Sequence, residues 1–408
     1  MTRDPLSPAL DASPRTPAER WVRRLAVAAV VATAVLLTLG WLVTSFRVGM
    51  SDRVWPTEPW YLVVNGQEWR EDNAGFLLEH THRLAGFVVG GLTSLLAVVA
   101  CFTERKPWLK WAGLAAVLAL IALYGQFHRQ MGQAWEARKA GGAVTVWPQT
   151  TAPTAVAAAV VLGLAGVTLV VGGRGRWVRA LASVSLVAVM VQGLLGGYRV
   201  YLDQLVGTEL ALIHGTFGQA VLCLLIAVMA MSKPLSFERE LPDVDRQRVG
   251  RLAVALPVLV FVQLVWGVMV RHYGTPLAQR LHVLTAFVVA GLAVWLAARC
   301  VVTPSGRRHL GFTAYHLLGI VGVQVLLGVE AWMGKFAAAG PQFAVLPLDR
   351  KVTVGSASVR TLHALVGAAL LAAAVLLALR VWRRAPAGDA GAAGPRADSR
   401  AAEPVAAA

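Results

Sequence analysis

The sequence has 408 residues, of which 57% are hydrophobic and 15% are charged, and its mean hydropathy is +0.60. Soluble globular domains carry about 25% charged residues, so this composition excludes an ordinary soluble protein and indicates a polytopic membrane protein. The formal net charge of +16 does not indicate nucleic-acid binding, because the basic residues lie in short clusters between apolar segments and form no single basic face.

Polar segments flank the apolar region at both ends of the chain. Residues 1–22 contain Pro, Ser and acidic residues, and match neither a cleaved signal nor a transit peptide. We expect them to form a disordered cytoplasmic tail. We expect the same of residues 385–408, which are rich in Ala, Gly and Pro.

Ten apolar segments are each about long enough to cross the hydrocarbon core as a helix. They are centred on 23–45, 84–103, 108–126, 151–173, 178–198, 209–232, 252–270, 281–301, 311–334 and 361–382. With the N-terminus inside, every major Lys and Arg cluster between the segments faces the cytoplasm, as the positive-inside rule requires. We therefore expect a bacterial cytoplasmic membrane protein with both termini in the cytoplasm.

This topology places the longer connections, which contain Trp and Pro, on the outside. The predicted outer connections are 46–79, 127–150, 199–208, 271–280 and 335–360.

Four histidines share one depth in this topology. Each lies near the outer end of a helix that enters the membrane from outside: His82, His214, His282 and His363. Ionisable residues in membrane helices are costly and mostly functional, and four at matching depth indicate ligands. The remaining histidines lack the pattern; His128 and His272 fall in predicted outer loops, and His80 is interpreted as an interfacial residue.

A short repeat precedes three of these histidines. The sequence V-Q-x-x-x-G occurs at 191–196, 262–267 and 323–328, each time followed by an outer loop and a His-bearing helix. A small residue at this place lets a neighbouring helix or a flat ligand approach closely. Three copies in register favour a ligand-binding arrangement over simple helix packing.

Paired imidazoles on antiparallel helices are typical of haem, whose iron takes two axial nitrogens on opposite faces of a flat apolar ring. Four candidate ligands therefore predict two haem sites. A zinc or copper site would instead gather its ligands around one ion, usually with carboxylates or thiolates.

The two predicted sites differ in one acidic residue. Glu79 precedes His82 by three positions and therefore shares its helical face. Gln279 and Arg360 hold the equivalent positions before His282 and His363. A carboxylate beside a haem edge can move protons, which favours chemistry in the N-terminal half and a resident electron-transfer haem in the C-terminal half. Alternatively, Glu79 stabilises a helix N-terminus, an effect worth about 0.3–1 kcal/mol. Arg83 and Arg360 are candidates for pairing with haem propionates, or extend to lipid headgroups.

These residues resemble the haem A synthase family. The matching motifs are E-x-x-H-R (Glu79, His82, Arg83), QGLLGG (192–197) followed by His214, and His282 with His363, and the likeness covers most of 23–382. It implies an oxidoreductase that converts the C8 methyl of haem O to a formyl group, which yields haem A for terminal oxidases. It also implies haem O as the substrate between His82 and His214, haem b as the cofactor on His282 and His363, and a functionally important carboxylate at Glu79.

The resemblance further implies two pseudo-symmetric four-helix bundles, with the haem sites toward the outer face. We expect an N-terminal bundle in 23–232, a cytoplasmic linker in 233–251 and a C-terminal bundle in 252–384. Unlike the family pattern, about two helices are inserted in 104–177, and no paired cysteines occur in the outer loops. The implied partners are haem O synthase, the terminal oxidase and an unidentified electron-transfer partner.

Two other functions remain open. The first is a diheme b-type cytochrome that only transfers electrons, against which Glu79 and the difference between the halves argue. The second is a haem transporter, whose helices would be broken near the membrane midplane, whereas the candidate ligands lie at the outer rim.

Overall fold

The computed structural model describes residues 16–51, 55, 74–143, 145–173, 175–233, 246–336 and 352–382. Ten helices make up this part of the chain: α1 (Pro17–Phe46), α2 (Ala74–Cys101), α3 (Pro107–Lys139), α4 (Thr151–Val171), α5 (Arg176–Tyr201), α6 (Asp203–Met231), α7 (Arg246–His272), α8 (Pro276–Val301), α9 (Pro304–Phe336) and α10 (Val354–Trp382). Each of the ten contains a stretch long and apolar enough to cross a membrane. The predicted all-α, multi-pass class is confirmed.

Eight of these helices pack as two closed rings of four. Helices α1, α2, α5 and α6 form the first ring and α7, α8, α9 and α10 form the second, each helix contacting its two ring neighbours. Buried apolar side chains fill the rings, including Leu96 and Leu225 in the first and Leu256 and Leu296 in the second. The rings join where α1 and α6 pack against α10 and where α6 packs against α7.

The second ring repeats the burial pattern of the first. Helices α2 and α8 align with an offset of 200 positions, so Val89 corresponds to Val289 and Leu96 to Leu296. All four are buried, with no more than 4% of any side chain exposed. The same apolar faces therefore build both cores.

Helices α3 and α4 lie outside the first ring, where they pack against α2 and α5. At the N-terminal end of α5, Arg179 forms an ion pair of 2.7 Å with Glu104, which lies between α2 and α3. Nearer the C-terminal end of α5, its Met190 carbonyl accepts a hydrogen bond of 2.8 Å from the Tyr124 hydroxyl of α3. Helix α3 and the segment before it are thus attached to α5 at two levels.

Several helices extend beyond the apolar segments that predicted them. Helix α3 continues to Lys139, so much of the predicted outer loop 127–150 is helical, and His128 lies in a helix rather than in a loop. Residues such as Gln, Arg, Glu and Ala favour helix even where they are too polar for the hydrocarbon core. Helix α1 likewise begins at Pro17, inside the predicted tail, and α7 begins at Arg246, inside the predicted linker. Residues 1–15, 234–245 and 383–408 lie outside the described residues.

Candidate functional site

The four predicted ligand histidines lie on helices at opposite corners of the two rings. His82 on α2 and His214 on α6 belong to the first ring, and His282 on α8 and His363 on α10 belong to the second. In each ring these two helices are separated by the other two members. The imidazoles of a pair therefore approach the ring centre from opposite sides, as two axial ligands of one flat group must.

Each of the four imidazoles packs against a glycine on the helix that precedes it. A Cβ atom placed on Gly40, Gly196, Gly267 or Gly328 would lie 2.8, 3.2, 3.0 or 3.1 Å from the Cε1 atom of His82, His214, His282 or His363, respectively. A real Cβ atom essentially never lies as close as the 2.8 Å at Gly40, and the other three separations are tighter than most real Cβ contacts, so a larger residue would displace the imidazole. The repeated contact indicates that the glycines position the histidines.

Sequence reasoning identified three of these glycines and missed Gly40. The V-Q-x-x-x-G pattern excluded it because Leu36 replaces the glutamine in the first copy, which reads V-L-x-x-x-G. Gly40 lies four residues after Leu36, on the helix before that of His82, and this spacing was the signal that could have identified it.

The pair in the second ring has the spacing that one metal ion between two imidazoles requires. The ring centroids of His282 and His363 are 6.2 Å apart, and the ring planes cross at 79°. Two metal–imidazole bonds of about 2 Å, with about 1 Å more from each nitrogen to its ring centre, give roughly 6 Å. The residues present fit a haem iron held from both sides.

Hydrogen bonds around these rings leave nitrogens for coordination. His282 Nδ1 lies 3.2 Å from the Gln263 carbonyl oxygen, a contact that suits an Nδ1–H donor and leaves Nε2 with a free lone pair. His363 Nε2 lies 3.4 Å from Gln324 Nε2, and the ring also interacts with the Gln324 backbone, as His282 does with that of Gln263.

The first ring offers an equivalent pair. His82 Nδ1 lies 3.0 Å from the Leu36 carbonyl oxygen, and the His214 imidazole interacts with the Gln192 backbone in the equivalent way. The Gln192 amide of α5 donates to the His214 carbonyl at 2.9 Å. We name the region around His82 and His214 pocket one and that around His282 and His363 pocket two.

Pocket one carries the carboxylate that pocket two lacks. Glu79 is buried, and its Oε1 atom forms an ion pair of 3.0 Å with Arg83 Nη2. Helix α2 begins at Ala74 and has no acidic residue in its first turn. Stabilisation of the helix N-terminus therefore does not explain Glu79.

Arginines near both pockets include two that sequence reasoning did not select. Arg199 on α5 interacts electrostatically with Glu79 and with His214. Arg271 on α7 donates from Nη2 to the Arg360 carbonyl at 3.4 Å. Both lie at the C-terminal end of their helices, which the predicted topology places outside, and this exception to the positive-inside rule was the available signal.

Arg360, a predicted propionate contact, joins the two rings. Its Nη2 atom donates to the Ser45 carbonyl of α1 at 3.3 Å, and its Nε atom donates to the Ser356 carbonyl at 3.0 Å. The neighbouring Thr361 hydroxyl donates to Ser45 Oγ at 3.0 Å. The guanidinium thus lies between pocket two and the first ring.

The other described histidines have other surroundings. His80 is buried and stacks on Phe76, with ring centroids 5.6 Å apart. His316 is exposed on α9 and contacts the Phe312 carbonyl at 2.7 Å. Among the described residues, no group of three or more His, Cys, Asp or Glu side chains could hold one ion. The candidate ligands are therefore paired imidazoles.

No protein-family model, curated protein or solved structure matches the chain.

Proposed function

We propose that this protein is a haem-dependent membrane oxidoreductase that acts as a haem A synthase. The observation that carries the proposal is an arrangement of side chains that both rings share, except for one acidic residue. Two rings each bring a pair of glycine-seated imidazoles together, and only the first ring adds a buried carboxylate, Glu79, on the same helix as a candidate ligand.

In this proposal, pocket two holds haem b through His282 and His363. Haem b supplies reversible one-electron transfer when bound. The 6.2 Å between the two ring centroids supports a low-spin site with both axial positions taken by protein. Such a site suits a resident cofactor rather than a substrate.

Pocket one receives haem O as the substrate, between His82 and His214. With water as the source of the oxygen atom, oxidation of a methyl group to a formyl group releases four protons and four electrons; Glu79 is proposed to accept the protons, and the electrons would leave through pocket two to the electron-transfer partner. Arg83 orients the Glu79 carboxylate through their 3.0 Å ion pair. Arg83 and Arg360 are also proposed to pair with haem propionates, since guanidinium groups bind carboxylates with two parallel hydrogen bonds.

The proposal places the protein in the bacterial cytoplasmic membrane, with both pockets toward the outer face. Haem O synthase would deliver the substrate, and a terminal oxidase would receive the product. An electron-transfer partner would reoxidise or reduce the haem of pocket two.

A diheme electron-transfer cytochrome is the second candidate. The four equivalent His–Gly contacts favour it, because they would serve two equal haems. The difference between Glu79 and Gln279 favours the enzyme, because an electron carrier has no use for a proton acceptor in one pocket only.

Expression in a host that makes haem O but not haem A tests the proposal. Extracted haems would be separated by chromatography and identified by mass. We expect haem A or hydroxylated haem O with the intact protein, and neither with Glu79→Ala or His82→Ala. His316→Ala is the matched control, because this exposed histidine lies away from both pockets.

Haem O alone with the intact protein would refute the enzyme. Bound haem b without any oxidised product would support the diheme cytochrome instead. A protein purified without any haem would rule out both candidates.

A further inference from the structure

A buried amide ties the two helices that meet at His282. Gln263 on α7 donates from Nε2 to the His282 carbonyl at 2.8 Å. The Thr285 hydroxyl of α8 donates to Gln263 Oε1. Both polar ends of the glutamine side chain are thereby satisfied by α8, and we name Gln263 with Thr285 the amide clamp.

The equivalent place in pocket one contains no amide clamp. Leu36 stands where Gln263 stands, four residues before the glycine that seats the imidazole, and Ala85 stands 200 positions before Thr285. Both partners of the clamp are therefore replaced by apolar residues. His82 keeps a contact from Nδ1 to the Leu36 backbone carbonyl at 3.0 Å.

The packing one turn after His82 is also more open than the packing one turn after His214 and His363. A Cβ atom on Gly218 or Gly367, four residues after His214 or His363, would lie 3.2 or 3.1 Å from the amide nitrogen of Gln192 or Gln324. A Cβ atom on Gly86, four residues after His82, would meet nothing within 4 Å. Only at His82 do we find neither a glutamine from the preceding helix nor close packing one turn further along.

We infer that His82 is the ligand that dissociates most easily. Pocket one exchanges its porphyrin when α2 moves away from α1, whereas pocket two retains its porphyrin. The inference rests on the proposed function, because it assigns the exchangeable site to the substrate and the retained site to the cofactor. It names positioning residues, Leu36 and Ala85, that set this difference.

The physical reason is the cost of breaking buried hydrogen bonds. Separation of α7 from α8 would leave both polar ends of the Gln263 amide without partners in an apolar surrounding, which is costly, whereas the Thr285 hydroxyl would keep the Leu281 carbonyl of its own helix at 2.7 Å. Separation of α1 from α2 breaks only the contact with the Leu36 carbonyl and leaves no side-chain amide unsatisfied. Pocket one therefore opens at a lower free-energy cost than pocket two.

Haem transfer to an excess of apomyoglobin measures this directly. The full-length protein, loaded with haem b in both pockets and held in detergent, would transfer haem in a fast and a slow phase. Leu36→Gln with Ala85→Thr installs the amide clamp in pocket one. Two additional buried hydrogen bonds should slow the fast phase by about five- to 150-fold, with the slow phase unchanged.

The reciprocal change is Gln263→Leu with Thr285→Ala, which removes the clamp from pocket two. It should accelerate the slow phase and leave the fast phase unchanged. Val35→Gln and Val262→Leu are matched controls. Val35 precedes Leu36 and Val262 precedes Gln263 in the sequence, and the exposed fractions of Val35 and Val262 are 52% and 38%. Neither control should move either phase.

The inference fails if the two swaps leave both phases unchanged, or if either swap moves the phases together. Should the installed clamp prevent folding, the reciprocal swap decides alone, since it only replaces polar residues by the apolar residues of pocket one. If haem transfer shows two phases that respond to the two swaps as expected, but haem O is not oxidised, the inference stands and the proposed function is refuted. A chain that binds no haem overturns both.

Discussion

Glu79 and Gln279 occupy equivalent places in the two rings. They lie 200 positions apart, each three residues before the first candidate ligand of its ring, and their exposed fractions are 7% and 4%. Glu79 pairs with Arg83 at 3.0 Å, whereas Gln279 donates from Nε2 to the Gly274 carbonyl at 2.8 Å. The chain thus contains a neutral isostere of its candidate proton acceptor in the same setting.

Glu79→Gln should abolish oxidation of haem O without loss of bound haem. The amide keeps the volume of the carboxylate but cannot accept a proton, and loss of a general base typically lowers a rate by about 10²–10⁴-fold. The measurement is the ratio of haem A to haem O in extracts, with the absorbance of the purified protein as the check on haem content. Glu136→Gln, at an exposed residue of α3, should change neither.

The reverse substitution sharpens this test. Gln279→Glu places a carboxylate in pocket two but leaves haem b there as a cofactor, so no new product should form. Undiminished haem A formation by Glu79→Gln would show that the carboxylate is not the proton acceptor.

A second prediction concerns substitution of the glycines that contact the imidazoles. Gly267→Ala would place a Cβ atom 3.0 Å from His282 Cε1. Overpacking of this kind costs about 1–3 kcal/mol, and we expect it to weaken haem retention in pocket two by that amount. Gly291→Ala, on α8 with nothing within 4 Å of the added atom, is the matched control. Equal haem retention in both variants would contradict a positioning role for Gly267.

Part of this arrangement was predictable because membrane-spanning segments and residue spacing along a helix can be recognised in short stretches of sequence. The four histidines could be placed at one depth from span order and charge alone. The repeat singled out the glycines four residues after Gln192, Gln263 and Gln324 as places of close approach, but it did not indicate that the histidines contact them.

What could not be predicted depends on contacts between helices distant in sequence. The apolar segment ended near 126, but α3 continues to Lys139, since its polar residues favour helix beyond the hydrocarbon core. His128 consequently packs with Trp55 and Tyr124, at ring-centroid distances of 5.6 and 4.5 Å. Nothing near His128 in the sequence indicates Trp55 as its neighbour.

Loss of either ligand in pocket two should remove a defined spectral component. His363→Ala leaves His282 as the only imidazole at that ring centre, and a single ligand cannot hold the iron in a six-coordinate, low-spin state. We expect the low-spin haem b absorbance to fall while pocket one still binds haem. His316→Ala should leave the spectrum intact, and an unchanged spectrum in His363→Ala would exclude His363 as a ligand.

The ion pair below the inserted helices predicts an effect on stability rather than on chemistry. Arg179 and Glu104 expose only 6% and 2% of their side chains, and Glu104 Oε1 also accepts hydrogen bonds from the backbone amides of Arg105 and Lys106. Removal of one partner from such a pair leaves an uncompensated buried charge, which costs about 3–5 kcal/mol. Glu104→Gln should therefore lower the thermal unfolding midpoint in detergent markedly.

A matched comparison within the insertion separates this effect from general sensitivity. Glu136 pairs with Lys139 at 3.0 Å, but their side chains are 65% and 48% exposed. Loss of an exposed pair costs at most about 1 kcal/mol, so Glu136→Gln should hardly move the unfolding midpoint. Because the buried pair joins the end of α2 to the start of α5, its loss should loosen these helix ends before it disturbs pocket one, whose residues lie toward the opposite ends of the same helices. Haem content measured well below the unfolding midpoint should accordingly stay unchanged, and a fall in haem content without a fall in stability would contradict this assignment.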